Sequence, residues 1–229
     1  FSILIFIPSL IFFENHADYF WYHLPYSNIV NEFKIIKGAV NLNDLFGYSH
    51  IWYDIIAIFN LPFFKNNYLT ILSLVFFYFF INILFEIYLQ NKDHIYKIFS
   101  AFSIFFLFMN YTNLKNFGSE IQINLIYILI SYYIIKNIYQ KNFRKKEILI
   151  IKILLLYFFS ILIRLNSIII LPAILIIIIM NYKVAIVSFK NNYSIYFFII
   201  FFSVLYLFKN FLVTGCLAYP LYFTCFENV

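Results

Sequence analysis

The chain has 229 residues, of which 64% are hydrophobic, 24% aromatic and only 11% charged, with a mean hydropathy of +0.87. A soluble domain is nearer half apolar and a quarter charged, so the composition excludes one and points to a polytopic membrane protein. The net charge of +6 then sorts topology; without basic patches interleaved with solvent-facing aromatics, it does not signal nucleic acid.

In chain order, with about 20 apolar residues per spanning helix, the sequence predicts seven spans: Phe1–Phe13, Tyr68–Leu89, Ile95–Met109, Ile121–Tyr139, Ile148–Leu165, Ser167–Tyr182 and Tyr193–Phe208. The expected fold is an all-α transmembrane bundle, a single domain over residues 1–229. The chain opens on apolar residues without Met or the basic flank of a signal peptide, and reads as a piece of a longer protein. Its basic loops set an orientation. Lys92, then Lys141, Arg144, Lys145 and Lys146, then Lys183 and Lys190 fall on one side, which the positive-inside rule makes cytoplasmic. Residues 14–67, 110–120 and 209–229 fall on the periplasmic or extracellular side of the inner (plasma) membrane.

The first outer loop, 14–67, is too long and apolar for a plain linker. Pro25 suits a first helical turn, and Ile29, Phe33 and Ile36 share one face, predicting an interfacial helix over 26–37. A second is predicted over 50–61, with Ile51, Ile55, Ile58 and Phe59 as its apolar face and His50 and Asp54 together on another. Pro62 ends it.

Ionisable groups are sparse, so their clusters carry weight. Glu14, His16, Asp18 and His23 crowd the start of the first loop, which is either a site or an ordinary wet loop. His16, Asp18 and His23 could ligate a divalent metal in principle, but their spacing matches no regular helix face, and no cofactor is assigned. Arg164, one of only two arginines with Arg144, sits between two spans. It is either a solvated turn residue or an anion-binding guanidinium, whose fork matches phosphate. Glu120 opens the fourth span, where a helix dipole alone favours a carboxylate. Cys216 and Cys225 are either a pair on an oxidising side or two free thiols.

The order of these parts resembles the C-type membrane glycosyltransferases that use polyprenyl-phosphate-linked sugars, in particular the bacterial protein mannosyltransferase and aminoarabinose transferase kind and relatives in polysaccharide clusters. The resemblance rests on Asp18-Tyr19-Phe20-Trp21-Tyr22-His23-Leu24-Pro25, Ile51–Pro62, Phe117-Gly118-Ser119-Glu120, and the Asn210–Pro220 loop with its Thr-Gly-x-x-x-Tyr-Pro ending. Where many relatives carry a proline pair, Ser49-His50-Ile51-Trp52 stands here. The resemblance implies that Asp18 is the catalytic base and Glu120 the second acidic residue. It implies that Arg164, with Lys115 or Lys209, holds the donor phosphate. His23 would orient Asp18 or bind an acceptor hydroxyl, and His50 and Asp54 would line the substrate site. The implied partners are a lipid-linked sugar donor and membrane lipid. A reading of another class is a non-catalytic, transport or assembly protein of surface polysaccharide biosynthesis, such as a flippase or polymerase partner.

Overall fold

The structure is a computed structural model that describes residues 21, 23–33, 35–48, 51–58, 68–110 and 119–226. Among these residues every regular element is helical: α1 (Leu24–Phe33), α2 (Ile51–Ile58), α3 (Tyr68–Gln90), α4 (His94–Met109), α5 (Glu120–Tyr139), α6 (Phe143–Ile163), α7 (Leu171–Met180), α8 (Tyr182–Asn191) and α9 (Tyr193–Thr214). Short 3₁₀ turns occupy Ala39–Asn41, Asp44–Gly47, Leu165–Ile170 and Tyr222–Thr224. The all-helical expectation therefore holds for the described residues.

Among the described residues, three helical stretches are long and apolar enough to cross a membrane: Leu72–Gln90, Glu120–Tyr139 and Tyr193–Thr214. A fourth is reached if Leu165–Met180 and Tyr182–Asn191, bent by 93°, count as one broken span. The other expected spans do not reach that standard. α4 is apolar but has only 16 residues, and α6 starts inside the basic run Arg144-Lys145-Lys146. The predicted span Phe1–Phe13 lies outside the described residues.

Two compact units divide the chain. The first holds α1 to α4 and the opening residues of α5, 120–125. Here α1 and α2 pack through Tyr26 against Tyr53, edge to face at 5.7 Å. Trp52 meets Phe76 of α3 the same way at 5.4 Å. α3 and α4 approach closely because small serines face the seam, where Ser100 donates its hydroxyl to the Leu84 carbonyl. Gln122 at the start of α5 donates to Ser73 Oγ at 2.7 Å.

The first loop helix differs from its expected limits. α1 starts at Leu24, with Pro25 in its first turn, and stops at Phe33 rather than 37. Beyond it the chain turns through Gly38, whose φ of 67° favours glycine. α2 is described over Ile51–Ile58, and the other residues of the expected helix, 50 and 59–61, lie outside the described residues. Its buried face is Trp52, Tyr53 and Ile56, while Ile51 and Ile55 are half-buried and Ile58 is 76% exposed.

The second unit holds residues 35–48, the rest of α5, and α6 to α9 with the loop that follows. Asn142 caps α6 by accepting from the Lys145 amide at 3.1 Å. α9 runs to Thr214, past the predicted limit of Phe208, so Lys209 and Asn210 belong to the helix. Gly215, at φ 75°, closes it as its amide bonds back to the Phe211 carbonyl at 2.8 Å. Segment 35–48 packs on this end of α9: the Gly38 amide donates to the Leu212 carbonyl at 2.9 Å. Tyr219 from the C-terminal loop lies edge-on to Tyr48 at 5.3 Å and donates to the Asp44 carbonyl at 3.3 Å.

At the other end of this unit a polar network joins four helices. Lys146 donates to Asn181 Oδ1 at 2.9 Å, and Asn181 donates to Asn137 Oδ1 at 3.1 Å. Glu147, buried, accepts from Asn191 at 3.2 Å and Asn192 at 2.9 Å. Asn181 and Asn192 sit at the two helix breaks, so the network holds the 93° bend. Both units bury polar side chains within apolar cores and expose apolar ones. Ser27, Ser73, Ser100, Gln122, Asn137 and Ser160 are buried, while Ile98, Phe102, Ile179, Phe197 and Phe201 are exposed.

Candidate functional site

His23, just ahead of α1, is 2% exposed. Its Nδ1 is hydrogen-bonded to the Tyr53 hydroxyl of α2, and the two rings lie 5.3 Å apart. With Tyr53 donating, the neutral imidazole keeps its proton on Nε2. The pair forms because Pro25 starts α1 at once after His23, and α2 lays Tyr53 against that first turn. Next to it, the buried indole Nε1 of Trp52 has no hydrogen-bond partner among the described residues. Asp54 follows, half-buried on α2. Sequence reasoning singled out His23 but missed Tyr53, which lies 30 residues away and carries no local signal of pairing.

Glu120 is exposed at the first turn of α5, in the first unit. The preceding Ser119 is buried, and its carbonyl accepts from the Ile123 amide at 3.1 Å. Arg164 belongs to the second unit. It ends α6 with extended backbone, φ −156° and ψ 123°, and is half-buried. Its amide donates to the Ser160 carbonyl at 2.9 Å, and its carbonyl accepts from the Ser167 amide at 3.0 Å. Ser167, fully buried, donates its hydroxyl to Ser160 O at 2.8 Å and accepts from Tyr127 at 3.0 Å. A Tyr127–Ser167–Ser160 chain therefore fixes the turn that presents Arg164. The seven-residue spacing of two serines around an arginine was the only sequence sign of it.

Asp18, Lys115 and His50 lie outside the described residues, as does His16. Among the described residues no three His, Cys, Asp or Glu side chains converge to hold a metal. Cys216 and Cys225 form a disulfide.

Fold and composition together define a helical protein with an apolar core that holds scattered buried polar side chains, an apolar exterior and helices of membrane-spanning length. The chain belongs to the family described as a domain of unknown function (DUF8201), which it matches over residues 1–229. No curated protein and no solved structure matches it.

Proposed function

We propose that this chain is an integral membrane glycosyltransferase-like protein that moves a sugar from a polyprenyl-phosphate carrier to an envelope glycan, lipid or protein acceptor. The observation that carries the reading is the His23–Tyr53 pair. A histidine five residues after the proposed base is buried and held by a tyrosine, which is a preorganised polar site rather than a wet loop. The resemblance in the order of parts supplies the chemistry.

In that chemistry the Asp18 carboxylate takes the proton of an acceptor hydroxyl as its oxygen attacks the anomeric carbon. The bond from that carbon to the lipid phosphate breaks, and the phosphate leaves with its electron pair. Arg164, aided by Lys115 or Lys209, stabilises that negative charge. Glu120 serves as the second carboxylate, and His23, with Asp54 and His50 nearby in sequence on α2 and its lead-in, orients the acceptor.

Membrane placement follows from the exterior. Exposed aliphatic and aromatic side chains on α3, α4, α7 and α9 suit lipid, and buried serines and asparagines suit helix seams. Residues 165–180 rise roughly 27 Å by the rise of 3₁₀ and α geometry, close to the thickness of a bilayer core. α8, turned by 93°, then lies along the surface. On our proposal, stretch 165–180 joins α3 to α6, α9 and the predicted Phe1–Phe13 as seven spans in the inner membrane. The polar network gathers the basic loops at one end of the second unit. The disulfide at the other end supports an oxidising, periplasmic or extracellular side for residues 209–229. It also supports that side for segment 35–48, which packs against them.

Asp18→Asn tests the catalytic reading in cells lacking the wild-type gene. Loss of the envelope glycan, at normal protein level in the membrane, is expected. A glycan made as in wild type overturns the reading and leaves the transport or assembly role. Arg164→Ala should weaken donor binding, and unchanged donor affinity removes its phosphate role.

A further inference from the structure

The loop after α9 has a property that glycosyl transfer does not use. No residue between Lys209 and Glu227 carries a charge. The Cys216–Cys225 disulfide closes the loop, and its backbone is largely satisfied from within. The Leu217 amide donates to Thr224 O at 3.1 Å, Leu221 to Ala218 O at 2.8 Å, Thr224 to Leu221 O at 2.9 Å and Phe226 to Gly215 O at 3.0 Å. Thr224 Oγ1 accepts from the Ala218 amide at 3.1 Å. At the tip the pattern reverses, with Tyr222 and Phe223 both 83% exposed beside exposed Leu221.

Polar groups bonded inward and large aromatics turned outward are what a loop needs in order to leave water, because lipid offers the backbone no partners. Tyrosine is enriched at the headgroup level, where its ring is apolar and its hydroxyl stays wet. The loop also continues an apolar exterior. α9, from which it emerges, exposes Phe197, Phe201, Val204 and Phe208, and no charged residue separates the end of that helix from the tip.

We propose that the disulfide-closed loop 215–226 is a membrane anchor whose Leu221-Tyr222-Phe223 tip inserts into the interfacial region of the lipid leaflet at that end of α9. The occupant of this surface is phospholipid, at the boundary of headgroups and acyl chains. The inference rests on the membrane placement and not on glycosyl transfer, so either can fail alone.

The test uses the full chain reconstituted in phospholipid vesicles. A single tryptophan is placed by Phe223→Trp in a Trp21→Phe, Trp52→Phe background, with Lys141→Trp, between α5 and α6, as the aqueous control. Insertion predicts blue-shifted emission from position 223, strong quenching by lipids brominated near the headgroup, and acrylamide quenching several-fold weaker than in the control. Red emission quenched by acrylamide as in the control overturns it. If brominated-lipid quenching disappears on adding polyprenyl phosphate, the tip binds a prenyl chain instead. If it disappears on raising the protein-to-lipid ratio, the tip meets a second copy. Both results overturn a phospholipid occupant. A membrane-dissolved carbene reagent applied to the wild-type chain gives an independent reading should the tryptophan background fail to fold. Labelling of the 217–224 segment supports insertion, and no labelling there, with α9 labelled, contradicts it.

Discussion

Gly47 has no room for a side chain. A Cβ built there would lie 2.6 Å from Cε1 of Tyr219. That ring cannot swing away freely, since its hydroxyl holds the Asp44 carbonyl and its edge meets Tyr48. Gly47→Ala is therefore expected to destabilise the fold by about 1–3 kcal/mol, the usual range for overpacking. A lowered thermal midpoint in detergent checks this, and coupling to Tyr219→Ala in a double-mutant cycle assigns it to that contact. Tyr219 also carries a pH signature. Burial, then Tyr48, then Asp44 push its hydroxyl above the ordinary tyrosine value. The folded state thus holds the proton more tightly than the unfolded one. Its contribution is complete below about pH 10 and is lost as pH rises through the raised value. Thermal unfolding between about pH 9 and 11 should show a steeper loss of midpoint in wild type than in Tyr219→Phe; equal slopes would contradict this. His23, Arg164 and Asp54 were legible as candidates because charges and imidazoles are rare in this sequence. Their partners were not. Tyr53, Ser160, Ser167 and Tyr127 look like ordinary residues of apolar helices, and only the fold brings them to the groups they hold.

At the scale of elements, helices were legible and their faces were not. Long apolar runs announce α3, α5 and α9 wherever water is the alternative. Hydrophobicity cannot say which side of such a helix points inward, because lipid and protein interior are equally apolar. On α2, Trp52, Tyr53 and Ile56 turn inward and Ile58 outward, a choice that hydrophobicity alone does not make. Helix α8 was hidden for another reason. Residues 167–182 read as one span followed by a basic loop, whereas the structure opens the span in 3₁₀ form, ends it at Asn181 and makes Tyr182–Asn191 helical. The break is a tertiary product. Asn181 holds Lys146 and Asn137 while its own Nδ2 also bonds the Ile177 carbonyl at 3.0 Å. Asn181→Leu strips those partners from Lys146 and Asn137 in a partly buried setting. It should cost about 1–3 kcal/mol, the penalty for polar groups left unsatisfied, read as a lower midpoint of thermal unfolding. An unchanged midpoint would mean that helix propensity alone sets the bend.

At the scale of the whole molecule, composition decided the class and the distribution of side chains agrees with it. Buried Ser, Asn, Gln and Glu within an apolar core, together with exposed Phe and Ile, is the arrangement expected where lipid replaces water. The ends of the second unit differ in character. One is basic and amide-rich, and the other is rich in aromatics and closed by a disulfide. That polarity was legible in the loop charges, whereas the pairing of Cys216 with Cys225 was open until the fold brought them together. The proposed chemistry stands on Asp18 before the buried His23–Tyr53 pair. Its most direct test is turnover of the host's own polyprenyl-phosphate-sugar pool by the full chain reconstituted in vesicles with a membrane extract as acceptor source. Wild type should move the sugar off its carrier, and Asp18→Asn, reconstituted to the same level, should do so about 10²–10⁴-fold more slowly, the usual worth of a general base. Equal turnover by the two proteins, or none by wild type when the pool is saturating, would contradict the account.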